Sequence, residues 1–345
     1  MRVDFLRAAG PAGATPDAAV IVPDAMMGFA VNYGNSFHLR EQLLYKIRSA
    51  SKGHQVAFVV GSGLTRETVP GVSEYVAMMR KSLESEPWLS ARFDEEITGP
   101  TWTEKYQQAA AFISHVKDQD HLNQIIRKGV IRACRDVDSM PEDEIDELVK
   151  DESLLRLLEK EGTWNLGIGV EAFGLLLTLI PPEKRGPVLT TNFDPLIEVS
   201  IRSAGARPAV QWMVEDGSIS DFDSDDAIDV IHMHGYWRRG GTLHTQSQLG
   251  RDRMELDGSI RERLRNKYVV VCAYGGWRDA FTKSIMGRLR ERNCLGMEVS
   301  WAWHMQAHEL SSLNGIGKEL QQIHCVAQFV GVDADLLFLE VLTKL

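Results

Sequence analysis

Cysteine is scarce: the chain has four in 345 residues, at positions 134, 272, 294 and 325. No two of them form a C-x-x-C pair, so the spacing indicates neither a zinc ribbon nor a disulfide framework. All four are read as buried thiols, and Cys272 in particular lies in Val269-Val270-Val271-Cys272-Ala273, a run that marks a core strand. Long apolar runs are also missing. The longest, Phe173 to Ile180, is far short of the roughly 18 residues needed to span a bilayer as a helix. Positive charge is in deficit, with 38 Lys+Arg against 48 Asp+Glu and a formal charge of −10, which disfavours non-specific binding to nucleic acid through phosphate neutralisation. The N-terminal stretch has two early arginines but not the continuous apolar core of a secretory signal. These absences lead to the expectation of a cytoplasmic protein with no membrane partner and no direct nucleic-acid partner.

What remains is an ordinary globular composition, 44% hydrophobic and 25% charged. The length permits two domains or one large α/β domain carrying an insertion. Asn35 or Ser36 could cap a helix running through Leu39, Leu43, Leu44 and Ile47, and a strand follows over Gln55 to Val60. Between 73 and 180 the apolar residues keep helical spacing: Val76, Met79 and Leu83, then Ala109, Phe112, Ile113 and Val116, then Leu122, Ile125, Ile126 and Val130. The acidic stretch from Glu142 to Glu161 holds Ile145, Leu148, Leu154, Leu155 and Leu158 at the same period, so its charges form a solvated helix face.

After Pro181-Pro182 the pattern changes to short apolar runs alternating with helical segments: 187–190, 210–214, 229–233, 268–274, 299–303 and 324–330. That alternation predicts an α/β fold, a Rossmann-like parallel sheet flanked by helices, with residues 73–180 as a helical insertion. The division expected is residues 1–53 as an N-terminal segment and helix, and residues 54–345 as one α/β domain containing the insertion. The stretch from Asp216 to Asp229 reads as an exposed loop.

Four segments carry candidate chemistry, each at the end of a strand. Gly61-Ser62-Gly63-Leu64-Thr65 follows the first strand, where glycines let the backbone turn sharply and bring N–H groups to an anion, with a helix dipole behind them. It departs from the dinucleotide fingerprint, having Arg66 at the sixth position, and it lacks the ending of an NTPase loop; a plain tight turn is the alternative. Thr190-Thr191-Asn192-Phe193-Asp194 groups hydroxyl, amide and carboxylate where ligand-binding residues collect, although Asn192 or Asp194 could simply cap the helix from Pro195. In Asp229-Val230-Ile231-His232-Met233-His234-Gly235 alternation puts both histidines on one face; His232 reads as structural and His234, at the exit, as chemical. The other eight histidines have no comparable setting. Val269 to Tyr274 runs into Gly275-Gly276-Trp277-Arg278-Asp279, a second surface for close approach of a nucleotide or else a structural turn.

In this order the four segments resemble the sirtuin family, specifically the zinc-free bacterial branch of sirtuin-like NAD hydrolases found in anti-phage defence, over residues 54 to 345. The resemblance implies that Gly61, Ser62, Gly63, Leu64 and Thr65 hold the pyrophosphate of NAD+, that Thr191, Asp194, Gly275 and Gly276 complete the nucleotide site, and that Asn192 and His234 are catalytic. Asn192 and Asp194 would bind the nicotinamide ribose or order the attacking water, and His234 would act as general base. Sirtuin deacylases carry a four-cysteine zinc ribbon after the His-Gly, whereas residues 236 to 267 here contain no cysteine. They also carry Pro-Asp-Phe-Arg after the first glycine loop, where this chain has Val69-Pro70-Gly71-Val72. Both departures favour cleavage of NAD+ to nicotinamide and ADP-ribose, without a metal, over acyl-lysine chemistry. A deacylase, an ADP-ribosyltransferase and a non-catalytic NAD or ADP-ribose sensor are the alternatives. The family further implies control through a homo-oligomer or a partner such as a helicase-type ATPase or an Argonaute-like protein.

Overall fold

A computed structural model describes residues 33–34, 36–49, 55–221, 226–290, 296–305, 316–321, 323 and 325–345. Asn35 as a cap, Cys294 and residues 1–32 fall outside these. The compact unit running from Asn32 to Leu345 is built on one sheet. Among the described residues its strands are β1 (Tyr33–Gly34), β2 (Val56–Val60), β3 (Arg185–Thr190), β4 (Pro208–Trp212), β5 (Ile228–His232), β6 (Tyr268–Cys272), β7 (Glu298–Ala302) and β8 (Val326–Phe329). They lie in the order β1-β8-β7-β6-β2-β3-β5-β4, and every pairing is parallel.

The run Val56-Ala57-Phe58-Val59-Val60 shows why the sequence reads as uninterrupted hydrophobicity: all five side chains are buried, yet on opposite faces. Val56, Phe58 and Val60 enter one apolar core with the inserted helices and the C-terminal helix. Ala57 and Val59 enter a second core with Leu256, Ile260, Phe281 and Ile285. A strand covered on both faces by helices has no need of polar alternation. The first core is centred on Phe58, Phe173 and Phe338, whose ring centroids lie 5.2 Å (58–173), 6.1 Å (58–338) and 4.6 Å (173–338) apart.

The first helix, α1 (Ser36–Arg48), buries Leu39, Leu43, Leu44 and Ile47, and the helical stretch between β2 and β3 comprises α2 (Val72–Lys81), α3 (Pro87–Glu96), α4 (Trp102–Val116), α5 (Gln119–Ile131), α6 (Glu142–Leu148), α7 (Glu152–Glu161) and α8 (Ile168–Leu179). Thr101 starts α4 with a reciprocal cap, its side chain accepting from the Glu104 amide while Glu104 reaches back. Asp151 caps α7 by accepting from the amides of Ser153 and Leu154. The expected acidic face is present: α6 has no buried residue and α7 buries Leu155. No helix among the described residues is long and apolar enough to cross a membrane.

Three expectations change. Helix α2 does not follow the first glycine loop directly: Ser62–Leu64 forms a single 3₁₀ turn, and the next helix begins only at Val72. The strand β5 ends at His232, so its alternation does not extend to His234. Cys134 and Cys272 are free and buried, but Cys325 is disulfide-bonded, so the four cysteines are not uniformly thiols.

Candidate active site

Neighbouring positions in the sheet run β6, β2, β3, β5, and the four segments singled out from sequence are the segments leaving the carboxyl ends of these four strands. Pieces of chain separated by tens of residues therefore meet along one edge, on either side of β2, where the chain's progress across the sheet reverses direction. Such reversals leave a crevice in open parallel sheets. Here the crevice is a cavity of about 290 Å³ lined from the glycine loop by Ser62, Gly63, Thr65 and Arg66, from the β3 exit by Thr191, Asn192 and Phe193, from the β5 exit by His234, Leu243 and His244, from the β6 exit by Tyr274, Gly275 and Trp277, and from the insertion by Tyr75 and Tyr106.

The anticipated residues divide. Ser62, Gly63, Thr65, Thr191, Asn192, His234 and Gly275 line the cavity. Leu64 does not; it is buried in the first core. Gly61 lies against the β6 exit, where a Cβ would come 2.7 Å from the Ala273 carbonyl oxygen and 2.8 Å from Tyr274 Cα. Gly276 adopts φ +70°, a left-handed conformation that suits glycine, and faces Trp303. Asp194 sits behind the wall, with 2% exposure, and its Oδ1 accepts from the Leu196 amide (3.2 Å) at the start of α9 (Leu196–Ser203). The helix-capping reading of that carboxylate is therefore realised in geometry.

The glycine loop does not present a row of free amides. Gly61 N–H donates to the Cys272 carbonyl, Gly63 N–H to Ala273, Leu64 N–H to Gly61 and Thr65 N–H to Ser62. Its glycines permit the loop to press against the β6 exit, where Ala273 itself takes φ +54°, unusual for a residue with a Cβ.

Asn192 is oriented by a chain of hydrogen bonds. Its Nδ2 donates to Thr65 Oγ1 (3.2 Å), and Thr65 Oγ1 donates to Asp194 Oδ2 (3.1 Å). The Asn192 amide N–H is held by Thr190 Oγ1 (3.0 Å) and its carbonyl by His232 Nδ1 (2.6 Å). Asn192 Oδ1, in contrast, is buried without a hydrogen-bond partner. A buried acceptor left unpaired costs stability, and this one belongs to a residue of the cavity wall. Burial, reinforced by the Glu198 charge, raises the Asp194 carboxyl to about 6.

His234 is 4% exposed and its Nε2–H donates to Asp279 Oδ2 (2.9 Å). That oxygen also accepts from Tyr274 Oη (2.8 Å), while Asp279 Oδ1 accepts from the Thr282 amide (3.0 Å). Burial opposes the charge on Asp279, but these bonds, the one from His234 foremost, hold its carboxyl below the usual range. His234 Nδ1 has no partner among the described residues. His232 has a different environment: it is fully buried, and its Nε2 pairs with Glu198 Oε1. Burial disfavours its charged form, yet the Glu198 carboxylate and the bonds around the ring raise it overall.

His244 was missed by sequence reasoning. It is 1% exposed, with Nδ1 bonded to Tyr106 Oη (2.5 Å) and Nε2 to Thr242 Oγ1 (2.6 Å), and burial lowers it to about 3. It is a neutral wall element with both nitrogens occupied. With Tyr106, Phe193 and Trp277 it forms connected ring contacts at centroid separations of 5.3 to 6.2 Å. Nothing local marks His244 or the inserted Tyr75 and Tyr106, which sit on helical spacing like any core residue. Asp279 stood within a segment of interest, and only the fold shows that it meets His234.

The insertion also grips the segment after His234-Gly235. Buried Arg127 on α5 donates to the carbonyls of Trp237 (3.3 Å), Arg238 (3.2 Å) and Val149 (2.8 Å). Glu159 on α7 accepts from Trp237 Nε1 (3.2 Å) and Arg238 Nε (2.7 Å).

No protein-family model matches the sequence, and no curated protein matches it. Among solved structures, the chain is similar to a Sir2 homologue mutant–ADP ribose complex, with 13% identity, a TM-score of 0.41 and coverage of 88% of this chain and 97% of the other. It is also similar to a Sir2 homologue–NAD complex, with 13% identity, a TM-score of 0.40 and coverage of 91% and 97%.

Proposed function

We propose that the chain is an NAD+ glycohydrolase that cleaves NAD+ to nicotinamide and ADP-ribose. The observation that carries this reading is that two residues lining one cavity each have an uncommitted hydrogen-bonding atom: Asn192 Oδ1, buried and unpartnered, and His234 Nδ1, on a ring whose other nitrogen is fixed by Asp279. In this reading a water held between the two side chains would donate one hydrogen bond to the amide oxygen and give a proton to the imidazole. In the reaction the bond between the ribose C1′ and the pyridinium nitrogen breaks, and its electron pair goes to that nitrogen. Nicotinamide leaves neutral, so no general acid is required. The oxocarbenium-like carbon is captured by the water oxygen, whose proton passes to His234; Asp279 holds the ring in place and stabilises the imidazolium. The order of the four segments, which resembles the sirtuin-like NAD hydrolases, supports the same reading. Its extension to an NAD-depleting effector of bacterial anti-phage defence, working as a homo-oligomer or with an ATPase or Argonaute-like partner, rests on that resemblance.

Purified protein incubated with NAD+ is expected to release nicotinamide and ADP-ribose in equal amounts, with no acyl-peptide added. NAD+ bound but intact after long incubation, alone and with candidate partners, would replace the hydrolase with a sensor. Release that depends on an acyl-lysine peptide would replace it with a deacylase.

A further inference from the structure

We propose that Arg66 is the anion-binding side chain of this cavity, taking the pyrophosphate of the nucleotide, and that Asp333 is the counter-ion it leaves when the ligand arrives. The identity of the ligand rests on the function proposed above; the anion site stands on its own observations. Among the described residues lining the cavity, Arg66 is the one Lys, Arg, Asp or Glu side chain. A pyrophosphate needs compensating charge, and the backbone supplies little of it, since the amides of Gly61, Gly63, Leu64 and Thr65 already donate to protein carbonyls. Residue 66 is also the position at which the loop departs from the dinucleotide fingerprint, with arginine where glycine is expected. A loop with four of its five amides already committed to protein carbonyls gains a planar, multi-donor cation at its end.

Arg66 is held now by carboxylates outside the cavity wall. Its Nη2 lies 2.9 Å from Asp333 Oδ2 and 3.6 Å from Asp335 Oδ2, and its side chain is 43% exposed. A half-exposed pair of this kind contributes little and is readily exchanged for another anion. Asp333 has a second task through its other oxygen, Oδ1, which accepts from the amides of Asp335 and Leu336 and caps the C-terminal helix Ala334–Leu342. The two tasks fall on different atoms, so Asp333→Asn can remove the charge while an oxygen remains for the cap.

The test is titration calorimetry with ADP-ribose, inorganic pyrophosphate and nicotinamide riboside on wild type, Arg66→Ala and Asp333→Asn, with melting curves as the check on folding. Arg66→Ala is expected to weaken ADP-ribose and pyrophosphate at least about tenfold, the scale of one lost charge-assisted contact, and to leave nicotinamide riboside unchanged. Asp333→Asn is expected to tighten ADP-ribose severalfold, because Arg66 no longer has to leave a carboxylate partner there. ADP-ribose binding equally well to wild type and Arg66→Ala would overturn the assignment and leave the NAD+ reading standing. Equal losses for all three probes would overturn it too, making Arg66 a structural residue. If wild type binds pyrophosphate through Arg66 but not ADP-ribose, the anion site holds and the NAD+ reading fails. Failure of wild type to bind either anion would overturn the site itself.

Discussion

Asp279 fixes one nitrogen of His234 and is itself fixed by Tyr274 and the Thr282 amide, so the ring beside the cavity is held in a single orientation. Two positions earlier, His232 has one nitrogen on the Asn192 carbonyl and the other on Glu198, with nothing left for a ligand. The difference predicts opposite phenotypes. His234→Ala should lower NAD+ cleavage by at least about 10², the lower bound for losing a general base, while ADP-ribose still binds and the melting temperature falls less than in His232→Ala, because Asp279 keeps its bonds from Tyr274 Oη and the Thr282 amide. His232→Ala leaves the Glu198 carboxylate buried without its partner and should cost about 3–5 kcal/mol of stability. Turnover, ADP-ribose affinity and melting temperature measured on both variants decide the matter; a folded, inactive His232→Ala beside an active His234→Ala would reverse the assignment. The sequence suggests this division through position alone, since His234 lies past the end of a strand and His232 within it. It gives no sign of Asp279 as the partner, because that contact joins residues 45 apart through two different loops.

At the scale of elements, the strands were readable because most of them are short and nearly continuously apolar, bounded by glycine, proline or charge, and the sheet buries both of their faces. The expected strands at 55–60, 187–190, 210–214, 229–233, 268–274, 299–303 and 324–330 correspond to β2 through β8 with shifts of a few residues at their ends. The two-residue β1 is too short to give a pattern. The glycine loop follows β2 as expected, but its glycines answer a different physical demand from the one the sequence suggests. At Gly61 the backbone angles, φ −122° and ψ −173°, are open to any residue, so conformation does not demand glycine there. The demand comes from the rigid backbone of Ala273 and Tyr274, less than 3 Å from where a Cβ would stand. Gly61→Ala should therefore destabilise the protein by about 1–3 kcal/mol, the range for overpacking a close contact, by forcing the β2 and β6 exits apart. Normal melting with loss of ADP-ribose binding would show instead that the glycine serves the ligand.

For the molecule as a whole, composition and rhythm indicate an α/β sheet with helices between its strands, but they carry no information on strand order. The order β6-β2-β3-β5 is what turns four separate signals into one cavity, and it depends on pairings as distant in sequence as Val56 with Tyr268. The relation of the insertion to the sheet is equally hidden in the sequence, since a helical stretch can cap a domain loosely or share its core. Here Phe112, Ile126 and Leu155 from the insertion belong to the same continuous apolar core as Val56, Phe58 and Val188 from the sheet. Arg127 and Glu159 add polar ties to the segment following His234. A shared core makes separate melting unfavourable, because either part unfolded alone would expose the apolar face of the other. Calorimetry is expected to show one cooperative transition that includes both parts. ADP-ribose at a hundredfold excess over its dissociation constant should raise that transition by about 4 °C, from about 2.7 kcal/mol of binding linkage and the unfolding entropy of a chain this size. Two transitions, with the ligand moving only one of them, would mean that the insertion is an independently folding cap and that the cavity opens by its detachment.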